Sequence, residues 1–170
     1  TPFEVSHLYH TLAADGVYTP LRAIRSVMNA DNKPLQRYEL SSEPRLSEAQ
    51  SHLMHFALQG VMRIGTGRSV YQQLPTELAL AGKTGTSNDQ RDSWFAGYSG
   101  DHLGVVWVGN DENKPTTLTG SSGALTIWTD VFKHVETRSI SQAVPDTIDY
   151  FWIDPLNNLR SAEGCENAQL

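Results

Sequence analysis

Ala81-Gly82-Lys83-Thr84-Gly85-Thr86-Ser87 is followed closely by Asp92-Ser93-Trp94-Phe95-Ala96-Gly97-Tyr98 and then by Leu103-Gly104-Val105-Val106-Trp107-Val108. These runs, bounded by turn formers, read as three successive strands: Leu78 to Thr86, Ser93 to Tyr98 and Leu103 to Val108. Ser99-Gly100-Asp101 is a tight hairpin turn, so the last two strands pair antiparallel. The third run is almost continuously apolar and reads as a central strand covered on both faces.

The first strand also carries chemistry. Lys83 brings a fixed positive charge, Thr84 and Thr86 bring hydroxyl donors, and Gly85 has no side chain to keep another backbone away. Together they suit an extended peptide ending in a carboxylate: the peptide pairs with the strand edge while cation and hydroxyls hold the anion. A backbone N–H at the end of such an edge can also donate to an oxyanion. Strict alternation puts Lys83 and Thr84 on opposite faces, so both serve one ligand only if the strand lies at the edge of its sheet. The plain alternative is a surface strand with a solvated lysine and a glycine bulge. Gly82-Lys83-Thr84 also matches the end of a phosphate-binding loop. That motif requires a glycine where Glu77 stands, and it leads from a strand into a helix rather than into another strand.

Upstream, Thr1-Pro2-Phe3-Glu4 is a helix start, with Thr1 as cap, Pro2 at the first helical position and Glu4 completing a capping box. Phe3, Val5, Leu8 and Leu12 form its apolar stripe, and Gly16 ends it. A short hairpin is expected next, Ala23 to Met28 and Leu35 to Tyr38 about a turn at Asn29-Ala30-Asp31-Asn32, followed by a polar loop from Ser41 to Arg45. A second helix begins at Ser47 with Gln50 as capping partner. Its apolar positions Leu53, Phe56, Ala57, Val61 and Ile64 recur at helical spacing before Gly65-Thr66-Gly67 stops it. Downstream, Asn110 to Thr119 is a polar loop, and a third helix from about Ser122 to His134 buries Ala124, Leu125, Trp128, Val131 and Phe132. Residues 139–146 read as linker, and Ile148 to Ile153 with Leu159-Arg160 as a terminal hairpin. The fold class is α+β, an antiparallel sheet with helices packed on it, and so small a sheet is expected to lack members.

The chain's 39% hydrophobic residues are enough to close a core. With 13 basic and 19 acidic residues the net charge is −6, and Arg22, Arg25, Arg63 and Arg68 are scattered, which argues against nucleic acid. No apolar run is long enough to span a membrane, and Thr1-Pro2-Phe3-Glu4 does not read as a signal peptide. His7 and His10, and His52 and His55, each share a helix face, but neither pair has a third ligand or a His-Glu-x-x-His pattern, so they read as solvent-facing rather than as a metal site. Cys165 is the single cysteine, either a free thiol or half of a bridge to a residue outside the chain. Of Trp94 and Phe95, alternation sends one to the core and the other toward a helix. Asp92 reads as a turn residue, and Ser87 as the end of its strand.

Taken together, Lys83-Thr84-Gly85-Thr86, Asp92 to Tyr98 and Val105-Val106-Trp107-Val108-Gly109 resemble the third conserved block of penicillin-binding proteins and the two strands after it. Gly65-Thr66-Gly67-Arg68 and Gly120-Ser121-Ser122-Gly123-Ala124 are similar to flanking blocks of the bifunctional class A members, nearest the 1b subgroup of Gram-negative bacteria. The resemblance runs from Thr1 to about Val135. It implies that residues 1–136 are the C-terminal portion of a penicillin-binding, serine β-lactamase-like fold, with 137–170 a linker and hairpin extension. It further implies that Lys83 holds the charge of the nucleophile network, that Thr84 and Thr86 bind the ligand carboxylate beside Gly85, and that the Thr86 N–H is half of an oxyanion hole.

For the parent protein the resemblance implies a peptidoglycan D,D-transpeptidase working through a serine acyl-enzyme, inactivated by β-lactams, with no cofactor. An upstream glycosyltransferase domain and membrane anchor would place it on the periplasmic face of the inner membrane. Its partners would be the stem peptides of the lipid II polymer, β-lactams, the upstream half of the same domain and cell-wall regulators. A D,D-carboxypeptidase, a serine β-lactamase relative and a non-catalytic module that binds cell-wall peptide remain open. One departure is plain. The family's nucleophile is a serine followed three residues later by lysine, and its second block is Ser-x-Asn; no serine here satisfies either pattern. A serine without a neighbouring base is a poor nucleophile, so the chain alone is expected to be inactive.

Overall fold

The computed structural model describes residues 1–157 and 159–163; Cys165 lies outside them. Helix α1 (Pro2–Ala13) opens on the expected capping box, with Thr1 Oγ1 accepting the Glu4 N–H and the Glu4 carboxylate reaching back to Thr1. Gly16 then turns the chain with φ +84°, where a Cβ would sit 2.6 Å from Ser51 Oγ and 2.7 Å from Leu46 Cβ. Strands β1 (Val17–Tyr18), β2 (Ser26–Met28), β3 (Pro34–Arg37) and β4 (Glu43–Pro44) follow. The expected hairpin is β2–β3. The stretch read as a loop around Pro44 instead pairs with β1. Helix α2 (Glu48–Arg63) is capped by Ser47 and Gln50, and a 3-10 turn covers Arg68–Gln72.

The central sheet is β5 (Ala81–Thr86), β6 (Ser93–Tyr98) and β7 (Leu103–Val108), antiparallel in that order. Strand β5 is shorter than read from sequence because its start has other partners. Gly100 N–H donates to Arg138 O at 2.8 Å, and Ala79 is taken up by Ser139 and Ile140. Helix α3 (Ala124–Phe132) follows, and β8 (Ile153–Asp154) pairs with β9 (Leu159–Arg160) as the expected terminal hairpin.

Each face of the sheet has its own core. Ala81 and Tyr98 pack with Leu12 of α1 and Leu58 of α2. On the opposite face Phe95 packs with Ala124, Leu125, Trp128 and Phe132 of α3, together with Met62 and Val70. The Phe95 and Trp128 rings meet edge-on at 5.2 Å and Trp128 stacks on Phe132 at 3.6 Å, aromatic pairs worth about 0.5–1.5 kcal/mol each beyond the buried area. Gly104 makes room for this: a Cβ there would meet the Trp128 indole nitrogen at 2.6 Å. Of the α3 residues expected inside, only Val131 is exposed.

Three other expectations are corrected. Strand β7 is not central among the described residues; β6 is its one neighbour, and its side chains are mostly half-buried. In α1 the buried residues are Thr11 and Leu12, while Phe3 and Leu8 face outward. In α2 the buried face is Ser51, His52, His55, Leu58 and Met62, leaving Leu53, Phe56 and Ile64 exposed, Ile64 at 84%.

The helix histidines are therefore not solvated. His55 Nδ1 pairs with the Tyr98 hydroxyl at 3.2 Å, and its Nε2 lies 3.2 Å from the Asp15 carboxylate without the alignment of a hydrogen bond. Burial pushes the His55 imidazole below its ordinary value, outweighing the pull of Asp15, and burial pushes the Tyr98 hydroxyl up. His52 Nε2 pairs with the Tyr150 hydroxyl at 2.6 Å, and half-buried His7 accepts the Leu21 N–H at 2.8 Å.

The segment after α3 is docked on the body rather than free. Asp101 gathers the Thr137 hydroxyl, the Arg138 backbone and guanidinium, and His102, contacts that hold its carboxyl well below the usual carboxylate range. No helix among the described residues is long and apolar enough to cross a membrane.

Candidate substrate-binding edge

The ladder's phase decides what β5 offers. Gly85 faces Trp94 across the pair, and the next rung is a Ser87 N–H to Asp92 O bond of 3.1 Å. Antiparallel pairs alternate, so odd-numbered residues of β5 turn their amides inward to β6. The N–H and C=O groups of Gly82, Thr84 and Thr86 consequently point to the other edge, which pairs with no strand among the described residues. Open amides of this kind take an extended chain as an added strand.

Side chains divide by the same alternation. Lys83 lies on the Ala81 face with Gly85, is exposed, and donates from Nζ to the edge carbonyl of Thr84 at 2.9 Å. Thr84 and Thr86 lie on the opposite face, as the sequence led us to expect for Lys83 and Thr84. The Thr84 hydroxyl pairs with the Thr66 hydroxyl at 2.7 Å. Thr86 Oγ1 accepts the Gly120 N–H at 2.9 Å and keeps its own proton for a ligand. A Cβ on Gly85 would meet Trp94 Cβ at 3.1 Å, so any side chain there crowds the strand beside Lys83.

Two loops frame this edge. The turn after α2 reaches β5 through Thr66, and the loop before α3 lies on the Gly85–Trp94 rung through Gly120. Between them is an open cleft of about 570 Å³, lined by Ile64, Thr66, Arg68, Ser69, Ser121 and Ser122. Thr66, Arg68 and Gly120 had no assigned role in the sequence. Their signal was the pair of short Gly/Ser/Thr turns on either side of the strand.

Asp92 ties down the far end, accepting from the Trp107 indole at 3.0 Å while its N–H donates to Ser87 Oγ at 2.8 Å. The indole and then the Ser87 hydroxyl hold its carboxyl below the ordinary value. Ser87 thus ends the strand and shapes the turn, as read. Phe95 is wholly buried against α3, and half-buried Trp94 lies against Trp107 rather than against a helix.

An open strand edge bearing outward amides, a cation and hydroxyls has the chemistry to pair with an extended anionic peptide. The chain belongs to the penicillin-binding protein transpeptidase domain family, whose pattern matches residues 1–133. It is 38% identical to Penicillin-binding protein 1B of Vibrio cholerae over 99% of this chain and 22% of that protein. It is 36% identical to Penicillin-binding protein 1B of Escherichia coli over 91% of this chain and 18% of that one. The chain therefore spans about a fifth of the length of these relatives. Among solved structures, Penicillin-Binding Protein 1A from Haemophilus influenzae superposes with a TM-score of 0.86 at 19% identity, covering 96% of this chain and 31% of that one. That likeness supports the α+β penicillin-binding fold.

Proposed function

We propose that this chain is the C-terminal part of the transpeptidase domain of a bifunctional, class A penicillin-binding protein of the 1b type. Residues 1–136 belong to that domain and 137–170 are a linker and small hairpin extension. The parent cross-links peptidoglycan stem peptides: a serine supplied upstream attacks a peptide carbonyl of the donor, the donor's terminal residue leaves as a free amine, and the acyl-enzyme then passes the acyl group to an acceptor amine, freeing the serine. β-Lactams acylate the same serine. Upstream glycosyltransferase and anchor segments hold the parent at the periplasmic face of the inner membrane, where lipid II polymer and cell-wall regulators are its partners.

The observation that carries this reading is the open edge of β5, with outward amides on Thr84 and Thr86 and exposed Lys83 beside them. The donor peptide lies along this edge, the Thr86 N–H donates to the developing oxyanion, and Lys83 supplies positive charge to the nucleophile network. Losing one preorganised electrostatic contact raises a barrier by roughly 3 kcal/mol. Lys83→Ala in the intact parent should therefore slow acylation by a fluorescent penicillin about 100-fold while the unfolding midpoint stays put. An unchanged rate in the folded variant would remove Lys83 from the mechanism.

A further inference from the structure

Helix α2 buries two polar atoms that nothing among the described residues satisfies. Ser51 and His55 lie one turn apart on the same face, 1% and 2% exposed, and neither Ser51 Oγ nor His55 Nε2 has a hydrogen-bond partner there. Both look onto the segment after α3. His55 lines a cavity of about 260 Å³ with Asp15, Arg138 and Ser141, and Ser51 lines one of about 360 Å³ with Asp15, Glu48 and Ser141. The two cavities share Asp15 and Ser141, so they are neighbours beneath one strap. That strap is pinned on both sides: the Ile140 N–H donates to Ala79 O at 3.0 Å, and Gln142 Nε2 donates to Asp15 Oδ1 at 2.8 Å. Ser99 and Gly100 close the first cavity, which places it at the Ala81 end of the sheet, the far end of β5 from Thr86.

These walls lack donors. Burial holds His55 below its ordinary value, so at neutral pH its imidazole is uncharged and carries one proton. With that proton on Nδ1, donated to the Tyr98 hydroxyl, Nε2 is a lone pair 3.2 Å from the Asp15 carboxylate. Two acceptors so placed are satisfied together by a group with several N–H bonds, and an ammonium has three. Glu48 sets a second carboxylate in the cavity that holds the free Ser51 hydroxyl. Arg138 is the one cation on either wall, and Asp101 Oδ2 at 3.2 Å from its Nε offsets its charge. No three His, Cys, Asp or Glu side chains among the described residues come together to hold a metal ion, which points to an organic cation. Residues four apart on a helix hold their Cβ atoms about 5–6 Å from each other, a span that a four-carbon diamine bridges. We propose that the paired cavities bind a short alkyl diamine, one ammonium between Asp15 and His55 and the other between Glu48 and Ser51.

Isothermal titration calorimetry of putrescine into the intact parent tests this, with butylamine as the companion probe. Putrescine should bind roughly 10- to 100-fold more tightly than butylamine, the scale of one further charge-assisted hydrogen bond. Asp15→Asn keeps the shape of the side chain and an oxygen for Gln142 while removing the charge, and should weaken putrescine by a similar factor. Glu48→Gln should bring putrescine toward the affinity of butylamine. Equal affinity of the parent for the two amines would overturn the diamine assignment. Undiminished putrescine binding by both variants would put the ligand elsewhere, and no binding to the parent would leave the cavities to water; either result overturns the proposal. Penicillin acylation plays no part in this readout, so the proposal fails or stands separately from the function proposed above.

Discussion

Gly120→Ala should loosen both the fold and the substrate edge, and the structure sets the size of the effect. A Cβ at Gly120 would sit 2.6 Å from Gly85 O, 2.7 Å from Trp94 O and 2.8 Å from Gly85 N. All three are backbone atoms of the β5–β6 ladder and cannot swing aside, so the loop must lift by roughly 0.5–1 Å to restore van der Waals distance. Lifting it breaks the 2.9 Å bond from Gly120 N–H to Thr86 Oγ1. Overpacking costs about 1–3 kcal/mol and the lost hydrogen bond about 1 kcal/mol, so the variant should lose about 2–4 kcal/mol. Thr86 is also the proposed oxyanion donor, and a displacement near 1 Å at a reacting centre costs about 100-fold in rate.

Urea unfolding and fluorescent-penicillin acylation of the intact parent measure the two effects separately. Gly60→Ala in α2 is the control: nothing lies within 4 Å of its Cβ position, and alanine in a helix should gain about 0.5–1 kcal/mol with acylation unchanged. A Gly120→Ala protein within about 0.5 kcal/mol of the parent and acylated at the parent's rate would refute the packing argument.

Gly85→Val places a branched side chain against Trp94 beside Lys83, and should abolish β-lactam labelling. Gly100→Val meets Ser139 O at 2.5 Å and should destabilise the fold by about 1–3 kcal/mol with labelling intact; equal loss of labelling would make both effects structural. Burial holds folded His55 below its ordinary value of 6.5, so the unfolded chain binds the proton more readily. Stability from this site is full above that value and falls as the pH drops below it toward the folded pKa. His55→Gln should flatten that fall between about pH 7.5 and pH 5, measured by unfolding midpoints, and an unchanged slope would assign it to other groups.

Much of the fold was legible because its signals are local. Both capping boxes form as read, and β6 and β7 begin and end where their turn residues place them. The face of α2 was not legible. Its apolar spacing pointed to Leu53, Phe56 and Ile64, but the helix buries His52 and His55 because Tyr150 and Tyr98, far along the chain, provide hydroxyls for them. The apolar run of β7 encodes two covered faces and says nothing about which edges are paired. At the site, strand chemistry named Lys83, Thr84, Gly85 and Thr86. Thr66 and Gly120 are held against them across 18 and 34 residues of chain, and only folding brings those turns together.

The central claim is that this chain supplies the substrate strand of a transpeptidase whose nucleophile lies in other residues of the parent. Incubating the chain with a fluorescent penicillin, alone and with the upstream half of the domain as a separate polypeptide, tests it most directly. The account predicts no label surviving denaturation when the chain is alone. In the mixture it predicts a denaturation-stable label, carried by the upstream half. A denaturation-stable label on this chain by itself would contradict the account, because it would place the nucleophile among these 170 residues.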